Sequence, residues 1–314
     1  MQIGVLEPQG FSKKAISELK RIGRVLLFSS GSLNEFIADK NILFIRLNFF
    51  IDKNFLKNAR NLKCICTPTT GLNHIDLNEC EKRQIKIISL KGEYEFLSTI
   101  RATPEHTFGL VLSLLRNYKK AFITHHNPIW DRDLYKGYEL YENTVGIIGF
   151  GRVGKILAKY FEAFGTKVYF YDKVKSIEAV NNAIKCDSVE EVVRLSNIVI
   201  LSASYTRNND IIFCKQEIDL LKGKYFINTS RGELIDERYL ITKINEEYFK
   251  GVALDVIQNE QSNNNLLKLI ELTKTSNLLL TSHISGATFS SMHKTECFIV
   301  EKLYKEYIQI HLKK

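Results

Sequence analysis

The 314-residue sequence predicts an α/β fold of two domains, each a parallel β-sheet covered by helices, with one domain inserted into the other. Short β-branched or apolar runs alternate with longer stretches of helical period almost throughout, and repeated strand–helix units build parallel sheets with helices on both faces. The length suffices for two domains of ordinary size. A long unbroken helical pattern near one third of the chain, RATPEHTFGLVLSLLRNYKKAFI, reads as the bridge between them.

Composition narrows the class. With 45% apolar and 25% charged residues and few prolines, the chain has the balance of a soluble globular protein. No apolar run approaches the ~20 residues that cross a bilayer. The start, MQIGVLEPQG, has no basic region followed by an apolar one, so no secretory signal and a cytoplasmic location are expected. Cys64, Cys66, Cys80, Cys186, Cys214 and Cys297 show no CxxC and no framework spacing; they read as reduced thiols, with no metal site. The net charge of +9 raises nucleic acid as a partner, yet the basic residues are spread through amphipathic segments such as LKNARNLK and EKRQIK. They read as solvated helix faces, so neither nucleic acid nor membrane is expected as a partner, and the positive field favours small anionic ligands.

Strands are expected over 3–7, 42–47, 63–66, 85–89, 144–149, 167–172, 198–202, 225–228, 251–256 and 277–281. Stretches such as FSKKAISELKRIG and GRVGKILAKYFEAFG carry the intervening helical period. The bridging helix is expected to take Thr103 as its N-cap and Pro104 at its first position, where a missing N–H costs nothing. The following THHNPIWDRDLYKGYELYEN reads as irregular chain, and residues 290–314 as a helix returning to the first domain.

The strand TVGIIG runs into GFGRVGK, which sets Gly149, Gly151 and Gly154 at GxGxxG spacing. Gly149 permits the tight turn, Gly151 lets the backbone approach a pyrophosphate, and Gly154 lets the helix pack on the strand. The helix start adds free N–H groups and a positive dipole end. A second strand ends in Asp172, about 20 residues on, where a carboxylate binds the adenosine ribose hydroxyls and repels a 2′-phosphate. Despite the adjacent Lys173, NAD is favoured over NADP.

Three more ionisable residues fall at strand ends in the second half: Arg231 in NTSRGELID, Glu260 after GVALDVIQN, and His283 after NLLLT. The carboxyl ends of the strands of an open α/β sheet line its ligand crevice, so the three can converge. A guanidinium clamps a carboxylate. A histidine exchanges a proton near neutral pH, and a neighbouring carboxylate orients the ring. With a nicotinamide beside them, the set describes hydride transfer coupled to proton transfer on a 2-hydroxy or 2-keto acid. His106 and His74 read as structural or solvated, and His125 and His126 show no metal-ligand pattern.

In order and spacing, the motifs TGLNHIDLNECEKRQIKI, PEHTFGLVLSLLRN with Trp130, GYELYENTVGIIGFGRVGKILAKYFEAFGTKVYFYD, NTSRGELIDERYL, GVALDVIQNE and LLLTSHISGAT give a resemblance over nearly the whole length. The chain resembles the D-isomer-specific 2-hydroxyacid dehydrogenases, the group of D-3-phosphoglycerate dehydrogenase and the glyoxylate/hydroxypyruvate reductases. The resemblance implies two Rossmann-like domains with a cleft between them: a substrate domain over 1–99 and 284–314, and an NAD-binding domain over 100–283. It implies Arg231 as the carboxylate binder, His283 as general acid/base and Glu260 as its partner. Asp255 would contact the nicotinamide carboxamide, and Gly286 would let the chain pass close to that ring. Arg152, Val153, Ala203, Thr229 and Ser230 would complete the cofactor contacts. Thr70 and Gly71 match a loop whose N–H groups bind the substrate carboxylate, and Arg46 matches a position near its distal part. A homodimer through the region of the long helix is implied as well.

The chain departs from the family pattern at Ser202, Ala203 and Ser204, where a His-x-Pro segment is frequent. It also has Ser282 in place of a proline, and Glu142 and Asn143 in place of glycine and lysine. None removes a catalytic group. Two other readings are open: a co-repressor-like protein that binds NAD(H) and docks peptides, and a dehydrogenase of a non-hydroxyacid such as formate or phosphonate. Formate-active relatives carry an amide where Glu260 stands. Arg46, Lys91 and Tyr94 suit a phosphate, a sugar acid or a small keto acid alike.

Overall fold

Twelve strands form among the described residues of the computed structural model, which are 1–123, 132–205, 211–260 and 265–308. Trp130, His125 and His126 lie outside them. The chain divides into two units, one of Met1–Ile100 with the described residues from Ala287 onward, the other Arg101–Gly286.

The first unit holds β1 (Gln2–Val5), β2 (Arg24–Leu27), β3 (Ile42–Phe44), β4 (Cys64–Thr67) and β5 (Lys86–Ser89), all parallel, in the order β2-β1-β3-β4-β5. Successive side chains on a strand point to opposite faces, and here both faces are apolar. Ile42, Phe44, Cys64 and Cys66 pack with Ala15, Leu19, Ile299 and Leu303 from the helices Lys13–Ile22 and Phe289–Leu303. Leu43 and Ile65, one residue out of phase, pack on the other side with Ile37, Phe55 and Cys80 from three short helices.

The second unit holds β6 (Thr144–Ile148), β7 (Lys167–Tyr171), β8 (Ile184–Lys185), β9 (Ile198–Leu201), β10 (Tyr225–Asn228), β11 (Gly251–Leu254) and β12 (Leu278–Leu280), again parallel. Their order is β12-β11-β10-β9-β6-β7-β8. The chain builds outward from β6 in one direction and then returns to add β9 on its other side. The carboxyl ends of β6 and β9 are thus the switch point at which open sheets of this kind take their ligands.

Several expected strands stop one to three residues early, because their last residues turn out of the sheet to make the loops described below. Two strands were not expected. The edge strand β2 has no fully buried residue, and β8 is a two-residue edge with both residues exposed. The long helix also differs from expectation. It spans Ala102–Leu115, capped by Arg101 without a side-chain bond, so Pro104 is its third residue. The first four N–H groups of a helix have no partner in it, so proline is tolerated there too. Thr103, expected to cap it, lies inside and accepts the Thr107 hydroxyl at 2.8 Å on its carbonyl. The helix ends where Asn117 takes a left-handed backbone at φ 53°, and a second helix runs over Tyr118–Ile123. Leu110, Val111, Leu114 and Leu115 are buried within their own unit, which uses up much of the helix's apolar length. Among the described residues, no helix is long and apolar enough to cross a membrane.

Candidate active site

The glycine turn follows β6 directly, and its three glycines face three different surroundings. Gly149 has φ 92°, and a Cβ there would lie 2.5 Å from the Ala203 backbone, so the loop after β6 is pressed against the loop after β9. A Cβ on Gly154 would lie 2.5 Å from the Gly149 carbonyl and 3.2 Å from Ile147, which fixes how closely the helix Arg152–Ala163 approaches its strand. Gly151, the N-cap of that helix, would meet nothing within 4 Å. The space over Gly151 lies at the start of a helix, where the first-turn N–H groups have no partner within the helix itself, and that is what a pyrophosphate needs.

Asp172, just past β7, accepts the Phe150 N–H on one carboxylate oxygen at 2.7 Å and the Val174 N–H on the other at 2.9 Å. It braces the turn, and each oxygen keeps a lone pair for ribose hydroxyls. Val153 and Arg152 occupy the first turn of the helix. Burial, with the like charge of Arg101 adding to it, draws Arg152 below its ordinary pKa. Ser202 donates its N–H to Ile148 at 2.7 Å, and its hydroxyl is buried without a hydrogen-bond partner.

Arg231, Glu260 and His283 come from the segments after β10, β11 and β12, three neighbours in the sheet. Asn228 closes the first of these turns. Its Oδ1 accepts the Ser230 N–H at 2.9 Å, and its Nδ2 donates to the Arg231 carbonyl at 3.0 Å. Gly232 then lets the turn touch the next segment, since a Cβ there would fall 2.1 Å from the Ile257 carbonyl carbon. Burial pulls the Arg231 guanidinium below its ordinary pKa, against the opposing charges of Glu260, Glu233 and Asp255. An arginine stays protonated under such a shift, so it is a partly dehydrated cation, the form that gains most from an anionic ligand.

His283 Nδ1 lies 2.9 Å from Glu260 Oε2. A carboxylate can only accept, so Nδ1 carries the proton of the neutral ring and Nε2 is left to exchange a proton with a ligand. His283 is a non-glycine residue at φ 53°. Asp255, 1% exposed, holds that turn: its carbonyl accepts the His283 N–H at 2.8 Å, and its carboxylate accepts the Ile284 and Ser285 N–H groups at 2.9 Å each. The Thr281 hydroxyl donates to the same carboxylate at 2.6 Å. Burial pushes the Asp255 pKa up, but bonds from His106, Thr281, Ile284 and Ser285 outweigh it and bring the group down to about 2. Both Asp255 oxygens are therefore engaged inside the fold, where the resemblance implied a contact to the cofactor. At Gly286, a Cβ would meet nothing within 4 Å.

Thr229 and Ser230 turn their hydroxyls inward. Ser230 donates to the Leu201 carbonyl at 2.7 Å. Thr229 lies 2.7 Å from Thr107, whose own proton goes to Thr103, so Thr229 is the donor.

The remaining expected contacts belong to the other unit. Thr70 and Gly71 lie in the loop after β4, where the Thr69 hydroxyl donates to the Gly71 carbonyl at 2.9 Å. Arg46, after β3, is paired with the fully buried Glu296 through Nε and Nη2, donates from Nη1 to the Gln9 carbonyl at 2.9 Å, and lies over the Phe11 ring. Its guanidinium is thus taken up by the fold on the side where a substrate role was expected.

Asn228, Thr281 and His106 were not singled out for the site by sequence. An asparagine ending a strand before a turn was the available signal for the first. The other two act on residues far along the chain.

Comparison with known proteins gives the chain its relatives. Residues 108–285 match the family described as D-isomer specific 2-hydroxyacid dehydrogenase, NAD binding domain. A glyoxylate reductase of Thermococcus litoralis is 31% identical over 268 residues, covering 82% of this chain and 78% of that one. A D-3-phosphoglycerate dehydrogenase of Escherichia coli is 27% identical over 311 residues, covering 97% of this chain and 74% of its own. Among solved structures, a D-lactate dehydrogenase from Aquifex aeolicus complexed with NAD and lactic acid superimposes with a TM-score of 0.84 at 24% identity, covering 100% of this chain and 97% of the other.

Proposed function

The chain belongs to the D-isomer specific 2-hydroxyacid dehydrogenase family, and from that membership we propose that it interconverts a small D-2-hydroxy acid and its 2-keto acid at the site built by Arg231, Glu260 and His283. The observation that carries the reading is the 2.9 Å His283–Glu260 pair on strand ends adjoining that of Arg231. The glycine turn fits the family's NAD: Gly151 leaves space where a phosphate would sit, and Asp172 opposes a 2′-phosphate. When bound, the cofactor supplies a hydride to the keto carbon, or accepts one in the reverse direction.

The chain's own residues do the rest. Arg231 binds the substrate carboxylate in bidentate fashion and lies close to the oxygen on which negative charge develops. His283, protonated at both nitrogens, gives its Nε2 proton to that oxygen as the carbonyl is reduced. Glu260 holds the Nδ1 proton throughout, fixing the ring's orientation and balancing the imidazolium charge. Oxidation reverses each transfer. Gly149, Arg152, Val153, Gly154 and Ala203 shape the nucleotide site, and Gly286 leaves room beside the catalytic turn. A homodimer and a cytoplasmic location belong to the same proposal, the latter supported by six cysteines that are all free thiols.

The test is NADH oxidation against glyoxylate, hydroxypyruvate, pyruvate and phosphohydroxypyruvate, with His283→Ala alongside. Turnover on one of them that collapses in the variant supports the reading. NADH binding without turnover on any, combined with capture of a defined peptide, would replace it with a nucleotide-dependent binding role.

A further inference from the structure

His106 has no place in the reaction as described, yet its ring reaches the residue that shapes the catalytic turn. From the helix Ala102–Leu115 its Nε2 lies 3.3 Å from the Thr281 hydroxyl and 3.5 Å from Asp255 Oδ1. The direction of these contacts follows from counting protons. Thr281 has one hydroxyl proton and gives it to Asp255 at 2.6 Å. Toward the imidazole, Thr281 can only accept, as can the Asp255 carboxylate. Nε2 of His106 must therefore carry hydrogen and donate to both.

What depends on this donor is the backbone of residues 281–285. An L-residue in the left-handed region costs roughly 1–2 kcal/mol and persists only where its surroundings over-determine it. His283 is such a residue, at φ 53°. Asp255 supplies the surroundings by accepting the N–H groups of His283, Ile284 and Ser285. The carboxylate must itself be held in one orientation, and within its own segment only Thr281 bonds to it through a side chain. His106 adds a second side-chain donor from an element on which the turn does not depend, and so anchors the cluster to the rest of the unit.

We propose that His106 is a positioning residue: through Thr281 and Asp255 it fixes the left-handed turn that presents His283 to Glu260 and substrate. The proposal rests on His283 being the acid/base of the reaction. A displacement of about 1 Å at a reacting group can cost on the order of 100-fold in rate, so a contact this far from the chemistry has leverage over it.

Three variants separate the possibilities. His106→Leu keeps bulk and loses the donor; His106→Gln returns an N–H near the position of Nε2. Thr281→Val removes the bridging hydroxyl and leaves His106 in place. Hydrogen–deuterium exchange of residues 281–286 is read beside kcat and the KM for keto acid and NADH, with exchange in β6 and β9 as the control for folding. His106→Leu is expected to raise exchange in 281–286 and lower kcat roughly tenfold or more, with KM for NADH little changed. His106→Gln is expected to recover most of both, and Thr281→Val to resemble His106→Leu. Should His106→Leu fail to fold, the Gln and Val variants carry the comparison. Unchanged exchange in 281–286, or raised exchange with unchanged kcat, overturns the proposal. If the wild-type protein reduces no keto acid, the reading of the reaction fails, and the exchange data alone decide whether His106 holds the turn.

Discussion

The N–H of His283 donates to the carbonyl of Asp255 across 2.8 Å, while the Asp255 carboxylate takes the next two N–H groups of the chain. One buried aspartate, through its carbonyl at His283 and its carboxylate at the two residues that follow, thus sets the backbone of the residue proposed to move the proton, and does so without touching its ring. The ring is oriented separately by Glu260. Position and orientation are controlled by two different acids, so their loss should have different signatures.

Asp255 makes the fold sensitive to acid. Its folded pKa of about 2 lies below the ordinary 3.8. A depressed carboxylate pKa stabilises the folded state fully above the unfolded value and loses that contribution as pH falls through the folded one. The window therefore runs from about pH 4 down to about pH 2, and the stabilisation at neutral pH is about 2 kcal/mol. Denaturant unfolding of the wild type and Asp255→Asn should show their largest gap near pH 7, shrinking steadily below pH 4. A gap that does not change across that window would mean that the charge of Asp255 contributes nothing.

Loss of the orienting pair should appear in turnover rather than in folding. His283→Ala is expected to lower kcat by roughly 10²–10⁴-fold, the usual contribution of a placed acid/base. Glu260→Gln keeps an acceptor for Nδ1 but cannot balance the imidazolium charge, so its loss should be smaller and again confined to kcat. Steady-state kinetics with unfolding curves for both variants check this. A lowered unfolding midpoint that accounts for the lost activity would count against the assignment.

The parts of this architecture that sequence made legible are those whose cause is local. Strands buried on both faces announce themselves as apolar runs, and strand-end glycines, Arg231, Glu260 and His283 follow from them. The edge strands β2 and β8 are too exposed to leave that signature. The start of the long helix was misplaced by two residues because no side chain caps it. His106 and Thr281 are 175 residues apart, and nothing near either reveals that they meet at Asp255. The same holds for Arg46 and Glu296, 250 residues apart.

The glycine turn offers a contrast between two neighbours. Gly154→Ala forces a Cβ to within 2.5 Å of the Gly149 carbonyl and should destabilise the fold by about 1–3 kcal/mol, as overpacking does. Gly151→Ala meets nothing within 4 Å and should change stability by less than about 0.5 kcal/mol while weakening NADH binding. Thermal unfolding and fluorescence titration with NADH, run on both variants, should show stability lost in the first and affinity lost in the second. Full NADH affinity in Gly151→Ala would argue against the space over Gly151 as the phosphate site.

Arg46 separates a structural role from a substrate role. Its side chain is 16% exposed and that of Glu296 is 0% exposed, and Glu296 also accepts the Ser12 N–H at 2.7 Å. Removing one partner of a buried ion pair leaves the other charged without compensation, which costs about 3–5 kcal/mol. Arg46→Ala should therefore unfold at markedly lower denaturant, with Arg46→Lys intermediate because an ammonium cannot serve Glu296 and the Gln9 carbonyl together with a planar fork. Unfolding midpoints measured with the KM for each keto acid decide between the roles. A stable Arg46→Ala protein with a raised KM would return Arg46 to the substrate; a destabilised one with KM unchanged among the molecules still folded would leave it as the partner of Glu296.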